Sequence, residues 1–411
     1  MIKEQIKQDY KKIFIVLLLL MQICFIIGLL IEYDGYQAEV FFQKGANYLA
    51  DFVNVAKYSA DKNPYFNGIN GDGEHAYLPF TYLLFYLFSR LSNYIQTDAF
   101  SAGYTYLSLA VINIFFMLLS ICFFIVLRRI ITAGNWMDDL LVLLLFGTGI
   151  YLFSYERGNI VILSAVCTAV YLNYFDSESR ICKHLSFISL AIAAALKGYP
   201  ALLGVLVLYN KKWKDAGCLL LYGMLLGILP FMFFENGLAN IPRWMENVRE
   251  NSIAYKFADF PRFGYLAFLA SLPEKYQAWR DWMDVVLRVV TGLCCIWMLL
   301  VSFAQKIRWK KLLSLVLILL LLPVNSAIYC GLYMFPIVLL FFCDERQKMD
   351  MCYLLLLLIF LNPLQIRLFH AGITWYLVNI ASMIMFGMLL FENSIAFASY
   401  LKNYRYAGGF R

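Results

Sequence analysis

The sequence predicts an all-α protein that crosses a membrane many times, and three observations carry that prediction. Of its 411 residues, 62% are hydrophobic and only 15% are charged, whereas soluble domains carry about 25% charged residues. Several apolar stretches reach or approach the roughly 20 residues that a helix needs to cross the hydrocarbon core. They are residues 13–31, 104–127, 219–234, 285–303 and 375–391. The basic residues gather in short clusters beside apolar stretches, which is typical of cytoplasmic loops.

Charge and cysteine usage exclude several classes of protein. The net charge of +7 does not indicate nucleic-acid binding, because the basic clusters alternate with apolar stretches and orient the chain in a bilayer. They predict a multi-pass membrane protein with both termini in the cytoplasm. The lack of a targeting signal is compatible with the cell (plasma) membrane. The ten cysteines lie in or beside apolar stretches, and paired Cys or His spacing is missing from the sequence. This argues against a disulfide framework and a zinc site. The sequence also lacks a Gly-rich phosphate loop and a His/Cys cluster, so we expect no metal ion and no cofactor.

In chain order, the first apolar stretch lacks a cleavage site of small residues and is predicted to be an anchor. It leads into a polar loop outside the membrane, residues 32–76, and a second outer loop covers residues 235–280. Residues 77–94 are apolar but short and are interrupted by a proline and an arginine. We expect this segment to re-enter or to lie partly embedded. The remaining segments then predict about 12 crossings in a single integral domain, residues 1–411.

Two pairs of apolar segments are too short for full spans and predict hairpins that dip into the bundle. They are residues 185–196 with 201–209, and residues 312–323 with 332–342. The first hairpin turns at "LKGYP", which places Lys197 below the outer surface. The second turns at "PVNSAIYCGLY". A further outer turn, "ERGN", carries Arg157 between two apolar segments.

Arg157 and Lys197 need a physical reason at membrane depth, because an arginine or lysine at a helix centre costs about 2.5–3.5 kcal/mol. One alternative is structural: Arg157 pairs with Glu156 or with a carbonyl, or the side chains reach the interface. The other is a cationic pocket for an anion held near the membrane surface, such as a lipid-linked phosphate. Two cations at the tips of two turns on the same face favour the second alternative.

Asp51 lies in "ADFVNVAKYS", about twenty residues after the first span. Several acids share this loop, so a solvated acid or a helix cap is the simpler interpretation on composition alone. Asp34, close to the end of the first span, competes with Asp51 as a candidate base. All the polar motifs fall on the predicted outer side, and this arrangement predicts one shared extracytoplasmic cavity.

The order of these motifs resembles that of a known family. The chain has "DF" at 51–52, "NPY" at 63–65 and "YLPF" at 77–80, followed by "ERGN", "ALKGYPALL", "KKW", "ENS" and "PVNSAIY". This series resembles the GT-C membrane glycosyltransferases, and specifically the polyprenol-phosphate-mannose-dependent glycosyltransferase family 87. The chain departs from the family pattern in four places. It has Arg-Gly-Asn for Arg-Gly-Gln, Lys-Gly-Tyr-Pro for Lys-Pro, one proline after Tyr77, and no residue between Asn and Ser in "ENS".

The resemblance implies a GT-C-like bundle with short re-entrant-like hairpins and extracytoplasmic loop helices, and an alpha-1,2-mannosyltransferase-like activity. It implies that Asp51 is the general base that deprotonates the acceptor hydroxyl. Arg157 and Lys197 would stabilise the polyprenyl phosphate as it leaves. The other substrate-binding residues that it implies are Tyr77, Asn159, Asn251, Ser252, Asn325 and Tyr329.

The implied partners are a polyprenyl-phosphate-linked sugar donor, a glycan or glycolipid acceptor and the lipid bilayer, with no nucleic acid. A lipid phosphosugar is already activated, so neither a nucleotide nor a metal is required. The main rival is a transporter or flippase for lipid-linked glycans, in which the cations only bind substrate. A polymerase or ligase for lipid-linked glycans is a second rival, and a purely structural membrane protein is the third.

Overall fold

The computed structural model is helical, with one short two-stranded sheet, over the residues that it describes. These are residues 2–31, 37, 48–66, 75–131, 135–258, 260–344, 350–368 and 371–406. The predicted all-α class is confirmed. Asp34 and much of the first outer loop lie outside the described residues.

The helices and strands have the following bounds in chain order. Within the described residues, the α-helices up to Lys197 are α1 (Ile2–Ile31), α2 (Ala50–Ser59), α3 (Pro79–Ser89), α4 (Ala99–Gly103), α5 (Tyr106–Arg128), α6 (Trp136–Leu145), α7 (Gly149–Glu156), α8 (Val161–Tyr174) and α9 (Arg180–Lys197). The others are α10 (Val205–Tyr209), α11 (Trp213–Gly227), α12 (Asn240–Ala254), α13 (Leu266–Ala270), α14 (Gln277–Ser302), α15 (Arg308–Leu321), α16 (Phe335–Cys343), α17 (Asp350–Phe360) and α18 (Thr374–Tyr406). The strands β1 (Arg367–Leu368) and β2 (Ala371–Gly372) pair antiparallel.

Within the described ranges, five helices are long and apolar enough to cross a membrane, and six if α6 and α7 form one bent span. The five are Asp9–Ile31, Tyr106–Arg128, Trp213–Phe233, Glu274–Ser302 and Thr374–Asn403. Each covers most of one of the five stretches predicted from the sequence, so the structure confirms those stretches as helices of spanning length. The count of about 12 crossings depends on the shorter apolar helices, and it stays a prediction.

The chain forms two compact units, each assembled from separate stretches of sequence. Residues 41–129 and 151–256 form the first, which we call the Asp51 unit. Residues 1–40, 130–150 and 257–411 form the second, which we call the C-terminal unit. The single integral domain over residues 1–411 stays a prediction.

In the Asp51 unit, α8 and α9 form an antiparallel hairpin joined by a short link. Ser179 begins α9 as its N-cap, accepting a hydrogen bond from the Cys182 N–H. Gly198 ends α9 with a φ of 63°, which favours a residue without a Cβ. Helix α11 packs on α9, and α2 packs on α3. The hairpin therefore presents the start of α8 and the end of α9 at the same end of the unit.

In the C-terminal unit, α15 is buried along almost its whole length. Its Lys310 is fully buried and lies 2.7 Å from Glu392 Oε2 on α18 and 3.5 Å from Asp350 Oδ1 on α17. A buried lysine is tolerated only with such partners. This ion cluster therefore ties three helices together.

Candidate active site

Helix α2 begins at Ala50 against the "ERGN" turn. Leu49 precedes it in the left-handed region, with φ 56° and ψ 18°, a conformation that costs a non-glycine residue energy. The Leu49 N–H donates to the Glu156 carbonyl at 2.7 Å, and the Asp51 N–H donates to the Arg157 carbonyl at 3.0 Å. These two backbone bonds fix the first turn of α2 onto the "ERGN" turn.

The side chain of Asp51 is held by two residues of that turn. Arg157 donates to Asp51 Oδ1 from Nε at 3.1 Å and from Nη2 at 2.5 Å. Asn159 Nδ2 donates to Asp51 Oδ2 at 2.6 Å, and its Oδ1 accepts from the Val161 N–H at 2.9 Å. The carboxylate is 19% exposed and the guanidinium side chain 20% exposed. The arrangement orients the carboxylate and leaves it reachable.

Gly158, between these two residues, permits the close approach. Its φ is +61°, and a Cβ there would lie 3.1 Å from Leu49 Cα and 3.1 Å from Phe52 Cβ. Both distances are tighter than ordinary contacts. The glycine of "ERGN" is therefore required both by the turn and by the packing of α2 against it.

A second layer of polar contacts anchors Tyr48, the residue before Leu49. The sequence analysis did not predict these contacts. Tyr104 donates its hydroxyl to the Tyr48 carbonyl at 2.6 Å, and the Tyr48 hydroxyl donates to Asn113 Oδ1 at 2.7 Å. Burial, and then the neighbouring Tyr155 hydroxyl, raise the pKa of Tyr48, so it remains a neutral donor. Polar residues such as Asn113 on an apolar helix commonly join neighbouring segments.

Lys197 and Tyr77 form a second cluster. Lys197 Nζ donates to the Tyr77 hydroxyl at 3.2 Å and lies 4.8 Å from the centre of the ring, within cation–π range. Thr81, on the first turn of α3, donates to the carbonyls of Ala195 and Leu196 at 3.1 and 3.4 Å. The segment that carries Tyr77 is thereby tied to the end of α9.

The hairpin of α8 and α9 brings both clusters to one end. Ser164, on the first turn of α8, donates to the Ala193 carbonyl near the end of α9 at 3.0 Å. Because the two helices run antiparallel, Asn159 and Lys197 extend beyond this contact in the same direction. The "ERGN" and "LKGYP" turns therefore lie at the same end of this helix pair, and their convergence on one outer face of the membrane stays a prediction.

Helix α12 holds the Tyr77 segment through one polar face that the sequence reading missed. Asn247, 1% exposed, donates to the carbonyls of Tyr65 and His75, both at 3.2 Å. Trp244 donates from Nε1 to the Ala76 carbonyl at 3.1 Å. Asparagines seven and four residues apart lie on one face of a helix, and the spacing of residues 240, 247 and 251 is the sequence signal that could have revealed this face.

The remaining predicted residues have different surroundings. Asn251 is half-buried and is the next residue on the face of α12 that carries Asn247, while Ser252 donates to the Val248 carbonyl of its own helix at 2.9 Å. Asn325 and Tyr329 belong to the C-terminal unit, where Ser326 and Ile328 pair through their backbones with residues 261–263. Their substrate-binding roles stay predictions.

Asp51 is a reachable carboxylate oriented by a cation and an amide, and Lys197 lies at the same end of the α8–α9 hairpin. These features describe a helical membrane protein with charged groups at its helix ends. The sequence model of glycosyltransferase family 87 matches residues 75–324, more than half of the chain. The chain belongs to glycosyltransferase family 87 and is a glycosyltransferase, as its motifs predicted. Comparison with curated protein sequences and with solved structures finds no match.

The matched range divides the candidate site. It contains the predicted substrate-binding residues Tyr77, Arg157, Asn159, Lys197, Asn251 and Ser252. Asp51 precedes it, and Asn325 and Tyr329 follow it directly. The candidate base is therefore linked to the family region by geometry, through its contacts with Arg157 and Asn159.

Proposed function

We propose that the protein transfers a hexose, with mannose favoured, from a polyprenyl-phosphate-linked donor to a glycan or glycolipid acceptor. The transfer takes place on the extracytoplasmic side of the plasma membrane, in a GT-C-like bundle of about 12 segments with both termini in the cytoplasm. The observation that carries the proposal is the reachable Asp51 carboxylate, bound by Arg157 and Asn159, in a member of glycosyltransferase family 87. Family membership favours a transferase over a transporter.

In the proposed reaction, Asp51 is the general base. The acceptor hydroxyl oxygen attacks the anomeric carbon, its proton passes to an Asp51 oxygen, and the bond from that carbon to the phosphate oxygen breaks. The bonding electrons leave with polyprenyl phosphate. Because Arg157 binds one oxygen of the carboxylate and Asn159 the other, the base is oriented before the acceptor arrives, which supports proton transfer at short range.

The departing phosphate gains negative charge, and Arg157 and Lys197 are the proposed cations that stabilise it. A guanidinium carries five N–H donors, which is enough to serve a carboxylate and a phosphate together. Lys197, held by Tyr77, supplies a point charge. Loss of one such donor typically raises the barrier by about 3–4 kcal/mol. We assign the orientation of the sugars to Tyr77, Asn159, Asn251, Ser252, Asn325 and Tyr329.

The test compares Asp51→Asn with the wild type in nanodiscs supplied with polyprenyl-phosphate-mannose and a panel of glycan or lipid acceptors. Release of free polyprenyl phosphate is measured. Asp61→Asn is the matched control: Asp61 is exposed, and its Oδ1 accepts from the Asn63 N–H at 3.0 Å, a contact that asparagine can keep.

We expect turnover in the wild type and in Asp61→Asn, and its collapse in Asp51→Asn. Equal turnover in all three proteins would assign the base to another acid, with Asp34 the first to examine. A wild type that binds the lipid donors but turns over none of them would contradict the proposed reaction and favour a transporter of lipid-linked glycans.

A further inference from the structure

Arg280 is a buried arginine outside the site described above. It lies on the first turns of α14 and is 4% exposed. Its guanidinium carbon sits 4.2 Å from the centre of the Phe257 ring. Within the described part of the chain it makes no hydrogen bond or ion pair, and its Nε is fully buried. The ring contributes a cation–π contact but accepts no conventional hydrogen bond from the guanidinium N–H donors.

The acid nearest to Arg280 on its buried helix face is already engaged. Asp284 lies one turn further along α14 and is 2% exposed. Its Oδ1 accepts the Tyr265 hydroxyl at 2.8 Å, and its Oδ2 accepts from Arg288 Nη2 at 2.8 Å. The charge of Asp284 is therefore balanced by Arg288, one turn beyond it. A guanidinium taken out of water needs an anionic partner of its own.

The depth of Arg280 in the bilayer indicates which anion that is. Arg280 lies near the start of the candidate span Glu274–Ser302. Its neighbours Trp279 and Trp282 are 49% and 62% exposed, and exposed tryptophans at the end of a span mark the membrane–water interface. Exposed valines follow at 285, 286, 289 and 290, where the helix enters the hydrocarbon. The guanidinium is therefore at the level of the lipid phosphates.

We propose that Arg280, supported by Phe257, binds the phosphate group of a lipid. Arginine suits this ligand because its planar donors match two phosphate oxygens at once. The phosphate comes from a membrane phospholipid or from the polyprenyl phosphate carrier, and this second source rests on the proposed function. Either way the site holds the start of α14 at the headgroup level.

The experiment measures the melting temperature of the purified protein in maltoside detergent micelles, which carry no phosphate, without sugar donor or acceptor. Polyprenyl phosphate is titrated in one series and phosphatidylglycerol in another. A ligand that binds only the folded protein raises the melting temperature by mass action. Arg280→Gln and Arg280→Lys are compared with Lys275→Gln, a control that removes one exposed charge near the same interface.

We expect the wild type and Lys275→Gln to be stabilised, and the apparent affinity to fall by about ten-fold or more in Arg280→Gln. A loss confined to polyprenyl phosphate identifies the carrier lipid as the source, and a loss confined to phosphatidylglycerol identifies phospholipid. A loss in both series shows that the site binds either lipid phosphate. Arg280→Lys keeps the charge without the planar pair of donors. Its apparent affinity should therefore lie between those of the wild type and Arg280→Gln, and it replaces Arg280→Gln in the comparison if that variant does not fold.

Stabilisation that is missing in the wild type, or that is the same in the wild type and both Arg280 variants, would overturn the proposal.

Asp259→Asn is added because Asp259, which lies outside the described residues, is close to Phe257 in the sequence. A lower melting temperature in Asp259→Asn, with the lipid response of Arg280→Lys intact, would assign the arginine to a carboxylate and contradict a lipid phosphate. Since the readout is binding without turnover, failure of the proposed reaction does not affect it.

Discussion

Gly158→Ala is predicted to displace Asp51 without removing any group that the proposed reaction uses. The left-handed φ of +61° costs an alanine about 1–2 kcal/mol. The new Cβ would lie 3.1 Å from the backbone Cα of Leu49, so the start of α2 must move by a few tenths of an ångström. That movement strains the two backbone hydrogen bonds between α2 and the "ERGN" turn, worth about 1 kcal/mol each. If both bonds are lost, the total loss of stability is about 3–4 kcal/mol.

The effect on the reaction follows from the same displacement. A shift of about 1 Å in a positioned group can cost about 100-fold in rate. A shift of about 0.3–0.5 Å therefore predicts a loss of kcat of about 4- to 10-fold for Gly158→Ala. The assay is release of polyprenyl phosphate in nanodiscs at saturating donor and acceptor, with the melting temperature recorded for each protein.

Gly237→Ala is the matched control for this prediction. Gly237 also has a left-handed φ, +55°, but the nearest atom to a Cβ there is Met232 Sδ at 3.8 Å, an ordinary contact. The Gly237→Ala variant should lose stability from backbone strain alone and keep the kcat of the wild type. Wild-type kcat in Gly158→Ala, or the same loss of kcat in Gly237→Ala, would refute the reasoning.

Three further predictions concern the polar contacts of the Asp51 unit. Arg157→Lys should lower kcat by about 10- to 100-fold, because one ammonium cannot reproduce the two donors on Asp51; an unchanged kcat would contradict this. Lys197→Met should raise the donor KM, whereas Tyr77→Phe, which keeps the ring, should have a smaller effect; equal KM values in both variants would contradict a phosphate role for the lysine. Asn247→Leu should lower the melting temperature, because two backbone carbonyls lose their donor, at a cost of about 1–3 kcal/mol each. An unchanged melting temperature would show that the Asn247 amide does not hold the segment that carries Tyr77.

The spanning helices could be predicted because their signal is local. A nearly continuous apolar run of about 20 residues is stable across a bilayer in almost any context, and residues 13–31 and 104–127 show such runs. The same reasoning could not decide the shorter segments, such as residues 77–94. The helix there is Pro79–Ser89, too short for a span by itself, and its place in the membrane depends on its neighbours.

The partner of Arg157 could not be predicted, because the contact is long-range. The sequence offered Glu156 or a carbonyl as structural partners, whereas the guanidinium binds Asp51, 106 residues away in the chain. The contact depends on Leu49 adopting a left-handed conformation, and leucine gives no local signal for that. The sequence did place Asp51 and Arg157 on one side of the membrane, but their pairing is a property of the tertiary fold.

The contact between Asp51 and Arg157 also links the two halves of the proposed reaction. Before the reaction, the guanidinium is held by a carboxylate that carries a full negative charge. As Asp51 takes the proton of the acceptor, that charge is neutralised and its attraction for the guanidinium weakens. The leaving phosphate gains negative charge in the same step. In the proposed reaction, the interaction of Arg157 would therefore shift from Asp51 towards the phosphate as the transfer proceeds, so that proton transfer to the base would strengthen stabilisation of the leaving group.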